Sequence, residues 1–384
     1  MSPPNAFVSN ITAAMASNDS TSTHLPYQKG DLIQLEVLKN YLDPPLPQPC
    51  RASIVRVFTV TMSPVMDIII WRKPGTHIRA VLKLYDRRFG TDLRDCYNKH
   101  RPHTPAGEAA FQSFVRQRKM QAFLRELEEE EEAENLMLRP SRQLYDEEDG
   151  QNLKNDTESI AKYEAALWRE CNTYFDNETE AYDRLREVQG KSIPQIYGHV
   201  RLLVPSPDVP PDLRQSPYFE VKGVLLQWIN GYNLTDLPVS PMAPSDTDEW
   251  AEIIQTAVDA AHDINKRGVI MADCQPRNVV VDRRSQVPFL IDFAQCDFKD
   301  RIMEPCRRWR EEDDGEGEGE GEGEEPNPEA EYWELVLSTD NPGAIGAVMR
   351  MKVLRNKGTE LDIKYPDREK IYQDIKHGTN ADNE

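Results

Sequence analysis

No run of about eighteen apolar residues occurs in this 384-residue chain, so nothing in it reads as a membrane span. Its six cysteines, at positions 50, 96, 171, 274, 296 and 306, form no C-x-x-C pair. That excludes a zinc pattern or a disulfide framework and makes a reducing compartment the simplest setting, cytoplasmic with the nucleus also open. Through Gln28 there is no basic segment followed by an apolar core, so no secretory signal is expected. Basic excess is missing too. Lys and Arg number 46 against 66 Asp and Glu, a formal net charge of −20, which argues against nucleic acid as a partner. Internal repeats are absent apart from a Gly-Glu tract. Apolar residues make up only 39% and charged residues 29%, the balance of an ordered core carrying long polar insertions.

The densest chemistry lies in Gly268 to Gln295, GVIMADCQPRNVVVDRRSQVPFLIDFAQ. Two short apolar runs, Val279 to Val281 and Phe289 to Ile291, flank the turn-like Asp282 to Gln286 and predict a hairpin. Asp273 and Asn278 fall on the loop leading into that hairpin and Asp292 at its exit. Two carboxylates and an amide brought together are the hard oxygen ligands that a Mg²⁺–phosphate complex takes. In phosphoryl transfer the first Asp orients a hydroxyl nucleophile, and the Asn and second Asp hold metal.

The spacing D-x-x-x-x-N, two strands, then D-F-small resembles the catalytic and metal-binding loops of the protein-kinase-like superfamily. The wording ADCQPRNVVVD…FLIDFAQ is most similar to a group of fungal kinase-like proteins near the aminoglycoside and choline phosphotransferase branch. The resemblance runs from about Ser53 to Lys299, and more faintly from Tyr332 to Arg355. It implies an α+β, two-lobed fold: an antiparallel-sheet lobe with one long helix, then a mainly helical lobe. It implies ATP and Mg²⁺ as cofactors, with Asn278 and Asp292 on the metal and Asp273 positioning the acceptor hydroxyl.

The remaining parts lie upstream in the order the resemblance requires. In the apolar run Ala80 to Tyr85, strand alternation puts Val81, Lys83 and Tyr85 on one face and Leu82 and Leu84 on the other. Alone, Lys83 reads more readily as a surface lysine on an edge strand; in this order it matches the family's phosphate-binding lysine. Glu158 to Val188 carries a helical apolar stripe of Leu167, Cys171, Tyr174, Tyr182, Leu185 and Val188. Glu178 falls within that stripe, where a carboxylate must find a partner, whereas Glu180 lies roughly 200° around the helix. Glu178 also matches the family's E-x-x-A-Y-x-x-L helix and is the expected partner of Lys83. Lys222 to Gly231 reads as a strand running into a break, and the resemblance makes Gln227, Trp228 and Ile229 the connector whose main chain meets the adenine edge. Asp246 is a candidate N-cap for a helix whose stripe runs from Trp250 to Ile264 and stops at Gly268.

Three departures stand against these matches. Residues 54–70, where a phosphate-covering loop belongs, contain no glycine, the residue that lets backbone approach phosphates closely. Met271 stands where an imidazole is usual, and Ala294 follows Asp292-Phe293 where glycine is usual. After Asp292 there is no A-P-E, so the sequence does not favour a protein acceptor. The chain divides into a mobile lead, 1–48, with one candidate strand at Leu32 to Leu38; a strand-rich lobe, 49–229, with a charged insertion near 97–157; and a helical lobe, 230–384. Glu126 to Glu134 reads as a helix extension and the acidic stretch near 310–328 as a disordered loop. Docking to a basic partner is the alternative reading of these tracts. Pro342 to Leu354, with Ile345, Val348, Met349 and Met351, predicts a late packing helix. The leading function is an ATP- and Mg²⁺-dependent phosphotransferase with an unnamed acceptor hydroxyl, protein or small molecule. A pseudokinase with little turnover is the alternative, and a structural protein whose acidic tracts act is a third.

Overall fold

The structure is a computed structural model and describes residues 27–72, 75–96, 99–134, 156–203, 209–304 and 327–377. It is a mixed α and β architecture in which antiparallel strands precede most of the helices. Six strands close into a barrel: β1 (Leu32–Asn40), β2 (Cys50–Thr59), β3 (Val65–Trp71), β4 (His77–Tyr85), β7 (Ile196–Leu202) and β8 (Lys222–Gln227). Strand order around the barrel is β1-β2-β3-β4-β8-β7, with every pairing antiparallel, while the short β5 (Asp95–Cys96) and β6 (Lys99–His100) pair with each other. Closure depends on β1, which pairs with β2 on one side and β7 on the other. The candidate strand at Leu32 to Leu38 is thus a barrel strand, while residues 1–26 lie outside the described residues.

Alternation builds the barrel interior. Leu35, Ala52, Ile54, Met66, Ile68, Ile70, Ala80, Leu82 and Leu84 all point inward and are buried together. The opposite face of β4 is thereby turned outward, and Lys83 and Tyr85 sit on it. A second core lies under that outer face. There α3 (Thr157–Arg184) packs Leu167, Cys171, Tyr182 and Leu185 against Leu226, Phe293 and the helix α4 (Thr247–Lys266). Asp246 caps α4 by accepting from the Asp248 N–H, and Gly268 ends it at φ +80°.

Short strands β9 (Gly231–Asn233), β11 (Val279–Asp282) and β12 (Pro288–Leu290) form the expected hairpin with one extra strand, and β10 (Val269–Met271) pairs with β13 (Cys296–Phe298). Gly231 is required where β9 crosses β11, because a Cβ there would lie 1.7 Å from the Val281 carbonyl. Helices α5 (Pro328–Thr339), α6 (Asn341–Lys357) and α7 (Arg368–Lys376) follow.

Two expectations change. In α6, Ile345, Met349 and Val353 are buried at i, i+4, i+8, whereas Val348 is 50% and Met351 46% exposed. Apolarity alone did not separate the two faces. The insertion is also more than a charged loop. Its helices α1 (Pro105–Arg116) and α2 (Met120–Glu134) bury Phe111, Phe114, Met120 and Phe123 against Ala161, Ala165 and Ala166 of α3. The helix extension expected at Glu126 to Glu134 is the end of α2, and the acidic stretch near 310–328 falls almost entirely outside the described residues. Among the described residues, no helix is long and apolar enough to cross a membrane. Cys50, Cys171, Cys274 and Cys296 are free and buried.

Candidate functional site

Lys83 projects from the outward face of β4 toward α3 and is only 5% exposed. Its ammonium lies 2.7 Å from Glu178 Oε2 and 2.6 Å from Asp292 Oδ1. Burial pulls the Lys83 pKa down, but the Asp292 and Glu178 carboxylates outweigh it and hold the ammonium above its ordinary value. Burial likewise pushes the Asp292 carboxyl up, and the neighbouring Lys83 charge overrides it, leaving Asp292 below the usual carboxylate range. Glu178 is fully buried and receives a second donor, the Tyr85 hydroxyl. Tyr85 stands two residues beyond Lys83 on the same strand face. Burial and then Glu178 raise its hydroxyl pKa, which keeps it protonated and able to donate.

The hairpin places the other candidates. Asn278 Nδ2 donates to the Asp273 carbonyl at 2.8 Å and to Asp273 Oδ2 at 3.0 Å. Arg277 Nη2 donates to the other Asp273 oxygen at 2.6 Å. The Ile291 N–H bonds the Asn278 carbonyl at 2.9 Å, which sets Asp292 beside Asn278. Lys83 thus joins Glu178 and Asp292, Asn278 joins Asp273, and the backbone bond from Ile291 to Asn278 ties the two groups together. Asp292 adopts φ +69°, a left-handed conformation that costs a non-glycine residue on the order of 1–3 kcal/mol and concentrates at functional sites. Phe293 behind it is fully buried and meets Tyr182 of α3 edge-on at 5.5 Å.

Among the described residues, no group of three or more His, Cys, Asp or Glu is placed to hold a metal ion. Asn278 and Asp292 nevertheless fit Mg²⁺, which is commonly held by one or two carboxylates with phosphate and water oxygens completing the shell. The Asp292 side chain is 42% exposed, and Asn278 uses its amide nitrogen toward Asp273, which turns its oxygen outward from that contact.

The departures also find physical accounts. The turn at 60–63 has its carbonyls occupied: Thr91 N–H bonds Val60 O at 2.8 Å, and Asp92 N–H bonds Thr61 O at 3.0 Å. Gly90 permits this approach, since a Cβ there would lie 2.9 Å from the Thr61 carbonyl. The glycine lies on the segment that fastens the turn, not within the turn. Met271 is buried, and its backbone is held on both sides by Asn341, whose Oδ1 accepts from Met271 N–H at 3.0 Å and whose Nδ2 donates to Met271 O at 2.7 Å. Asn265 of α4 donates to the same Asn341 oxygen at 2.9 Å. The loop is thus fastened by a residue 70 positions later. The only signal for it was the helix-start dipeptide Asn341-Pro342 behind the capping Asp340. Tyr85 was equally missed as a partner of Glu178, although the strand pattern placed it on the right face.

Gln227 ends β8, Trp228 and Ile229 follow it, and all three are half-buried. The Gln227 amide donates to Gln195 O at 2.8 Å and its side chain accepts from Gln195 N–H at 3.0 Å. A cavity of about 270 Å³ reaches Tyr85 and is lined otherwise by Arg87, Arg88, Cys171, Arg201 and Tyr218. Arg87, Arg88 and Arg201 are already paired there with Glu108, Asp86 and Glu36, so the Lys83 cluster, not this cavity, carries the reactive groups.

No protein-family model matches this chain, and no curated protein does. Among solved structures, the kinase domain of Mycobacterium tuberculosis PknI is similar over 64% of this chain and 58% of that one, at 12% identity and a TM-score of 0.28. A single and a double mutant of that domain are similar over 64% of this chain and 60% and 61% of theirs, at 13% identity and TM-scores of 0.28. The chain spans less than two thirds of each. A TM-score this low leaves fold and chemistry to be argued from the chain's own residues.

Proposed function

We propose that this chain is an ATP- and Mg²⁺-dependent phosphotransferase of protein-kinase-like fold, with β1 joined to the strand-rich lobe near 49–229 and a helical lobe near 230–384. The observation that carries the reading is the Glu178–Lys83–Asp292 cluster, tied by the Ile291–Asn278 backbone bond to the Asn278–Asp273 pair. Few structural needs would gather a buried lysine, three acids and an amide at one strained turn, whereas phosphoryl transfer uses each of them. Lys83, oriented by Glu178 and Tyr85, would bind phosphate oxygens. Asn278 and Asp292 would hold Mg²⁺, which neutralises charge developing on the phosphates. Asp273 would orient an acceptor hydroxyl; its oxygen bonds the γ-phosphorus, the bond to the ADP oxygen breaks, and the hydroxyl proton moves toward Asp273. Gln227, Trp228 and Ile229 would border the base. The acceptor, protein or small molecule, and membership of the fungal group are expectations from the resemblance.

A pseudokinase is the second reading, favoured by one observation: the 60–63 turn lacks glycine and its carbonyls are tied to residues 91–92, so it is poorly suited to wrap phosphates. Thermal unfolding with and without Mg·ATP tests the proposal on wild type and Asp292→Asn. Saturation near a hundred times Kd is worth about 2.7 kcal/mol, and the expected shift is abolished by Asp292→Asn. No shift at millimolar ATP would sink the nucleotide site. A shift without turnover across an alcohol acceptor panel would favour the pseudokinase.

A further inference from the structure

Four planar side chains crowd the end of the Lys83 strand face farthest from Lys83. Phe58 and Trp228 stack with ring centroids 5.6 Å apart and 13° between planes. The Arg79 guanidinium lies 4.0 Å from the Trp228 ring centre, and Arg56 lies 4.3 Å from Phe58 and 5.5 Å from Trp228. Asp67, fully buried, fixes Arg79 with two hydrogen bonds of 2.9 and 2.7 Å.

Position ties this stack to the site. Arg79 and Lys83 alternate onto one face of β4, about 13 Å apart along the strand. Leu226 is the cross-strand partner of Val81, and Trp228, two residues beyond, continues that face. A nucleotide with its phosphates on Lys83 and its base toward the segment after β8 would bring the base to Trp228.

Two features of the stack are unexplained by packing alone. The Trp228 Nε1–H is buried and, among the described residues, makes no hydrogen bond, an arrangement that is costly unless a ligand supplies an acceptor. Phe58 is 40% exposed although it covers a tryptophan. The two neighbours of Trp228 also differ in firmness. Arg79 is held in place by a buried carboxylate. Phe58 falls at a register shift between Val57 and Thr59, where a bulged residue is released from the ladder.

We propose that the Trp228 indole is the stacking platform for the planar base of the nucleotide, and that Phe58 holds that place until the base displaces it. Arg79 stays as the fixed layer, and Trp228 Nε1–H donates to an acceptor on the base or its ribose. This rests on the phosphotransferase reading and gives Trp228 a side-chain role beyond the main-chain contact expected of the connector.

The test compares Mg·ATP and Mg·tripolyphosphate binding by calorimetry to wild type, Phe58→Ala, Trp228→Leu and Asp292→Asn. Phe58→Ala should tighten ATP about fivefold, and Trp228→Leu should weaken it about tenfold or more, the usual scale of one base-aromatic stack. Tripolyphosphate, which has no base, should be indifferent to both. If ATP binding depends on Asp292 but Phe58→Ala leaves it unchanged or weaker, the platform is wrong and the phosphate site stands. If neither probe binds any of the four proteins, the phosphotransferase reading falls and takes the platform with it. Should Trp228→Leu fail to fold, Phe58→Ala with the two probes still decides.

Discussion

Lys83 is buried between two carboxylates, and its removal exposes how the site is balanced. Lys83→Met leaves Glu178, fully buried, to the Tyr85 hydroxyl. Breaking a buried pair from one side costs on the order of 3–5 kcal/mol, because the remaining charge stays desolvated. Urea unfolding should show a loss of that size, and adding Glu178→Gln should recover part of it, since the two changes share one interaction. Strict additivity would mean that the pair is not the source of the loss. Both members were legible in the sequence: an acid in an apolar helical stripe demands a cation, and a lysine in an apolar strand can supply one. Tyr85 was not legible as their partner, because a tyrosine in a strand is ordinary and nothing local says where its hydroxyl ends.

At the scale of elements, the long helix α3 is held from two sides. Its inner side meets Lys83 through Glu178, and its outer side is fastened to α1 by buried charge. Glu164 of α3 receives Arg87 at 2.5 Å and Arg94 as well, while Arg87 also reaches Glu108 of α1 at 2.5 Å. Glu164→Gln would leave two buried guanidiniums short of a carboxylate, so a destabilisation on the order of 3–5 kcal/mol is expected by denaturant titration. An unchanged midpoint would show that apolar packing of Phe111 and Phe114 alone attaches the insertion. The charged composition of this insertion was plain in the sequence. That Glu108 of the insertion shares Arg87 with Glu164 of α3 was not, nor that Glu164 holds Arg94, a residue 70 positions earlier.

For the whole molecule, the same buried ions predict how stability follows pH. Burial pushes the Glu164 carboxyl up, but Arg94 and Arg87 outweigh it and hold it at about 2, below its ordinary 4.5. Asp86 is likewise held at about 2 by Arg88 against burial. A carboxylate with a depressed folded pKa contributes stability that is complete above its unfolded pKa and lost as pH falls through the folded one. His199 acts in the same direction. Burial, then Lys39, lowers it to about 4 from 6.5, so the unfolded chain takes up that proton first on acidification. Stability should therefore decline gently from about pH 6.5 to 4 and steeply below about pH 4.5. Thermal melts from pH 7 to pH 2.5 check this; a flat midpoint across that range would show that these groups exchange one compensated environment for another.

Features that depend on local order could be read along the chain. Among them are the face of β4 that carries Lys83, the stripe of α3 that holds Glu178, the hairpin that sets Asn278 before Asp292, and the cap of α4. Each follows from a period of two or 3.6 residues, or from a turn, within a short span. Only the tertiary structure decided the rest. Closure of the barrel by β1 depends on two strands pairing across long separations, and the exposure of Val348 and Met351 depends on which face of α6 meets α4. The fastening of the Met271 backbone by Asn341, and the stacking of Phe58 on Trp228, are likewise matters of place. A side chain's partner is chosen by proximity in space, and proximity between distant residues leaves no periodic trace along the chain.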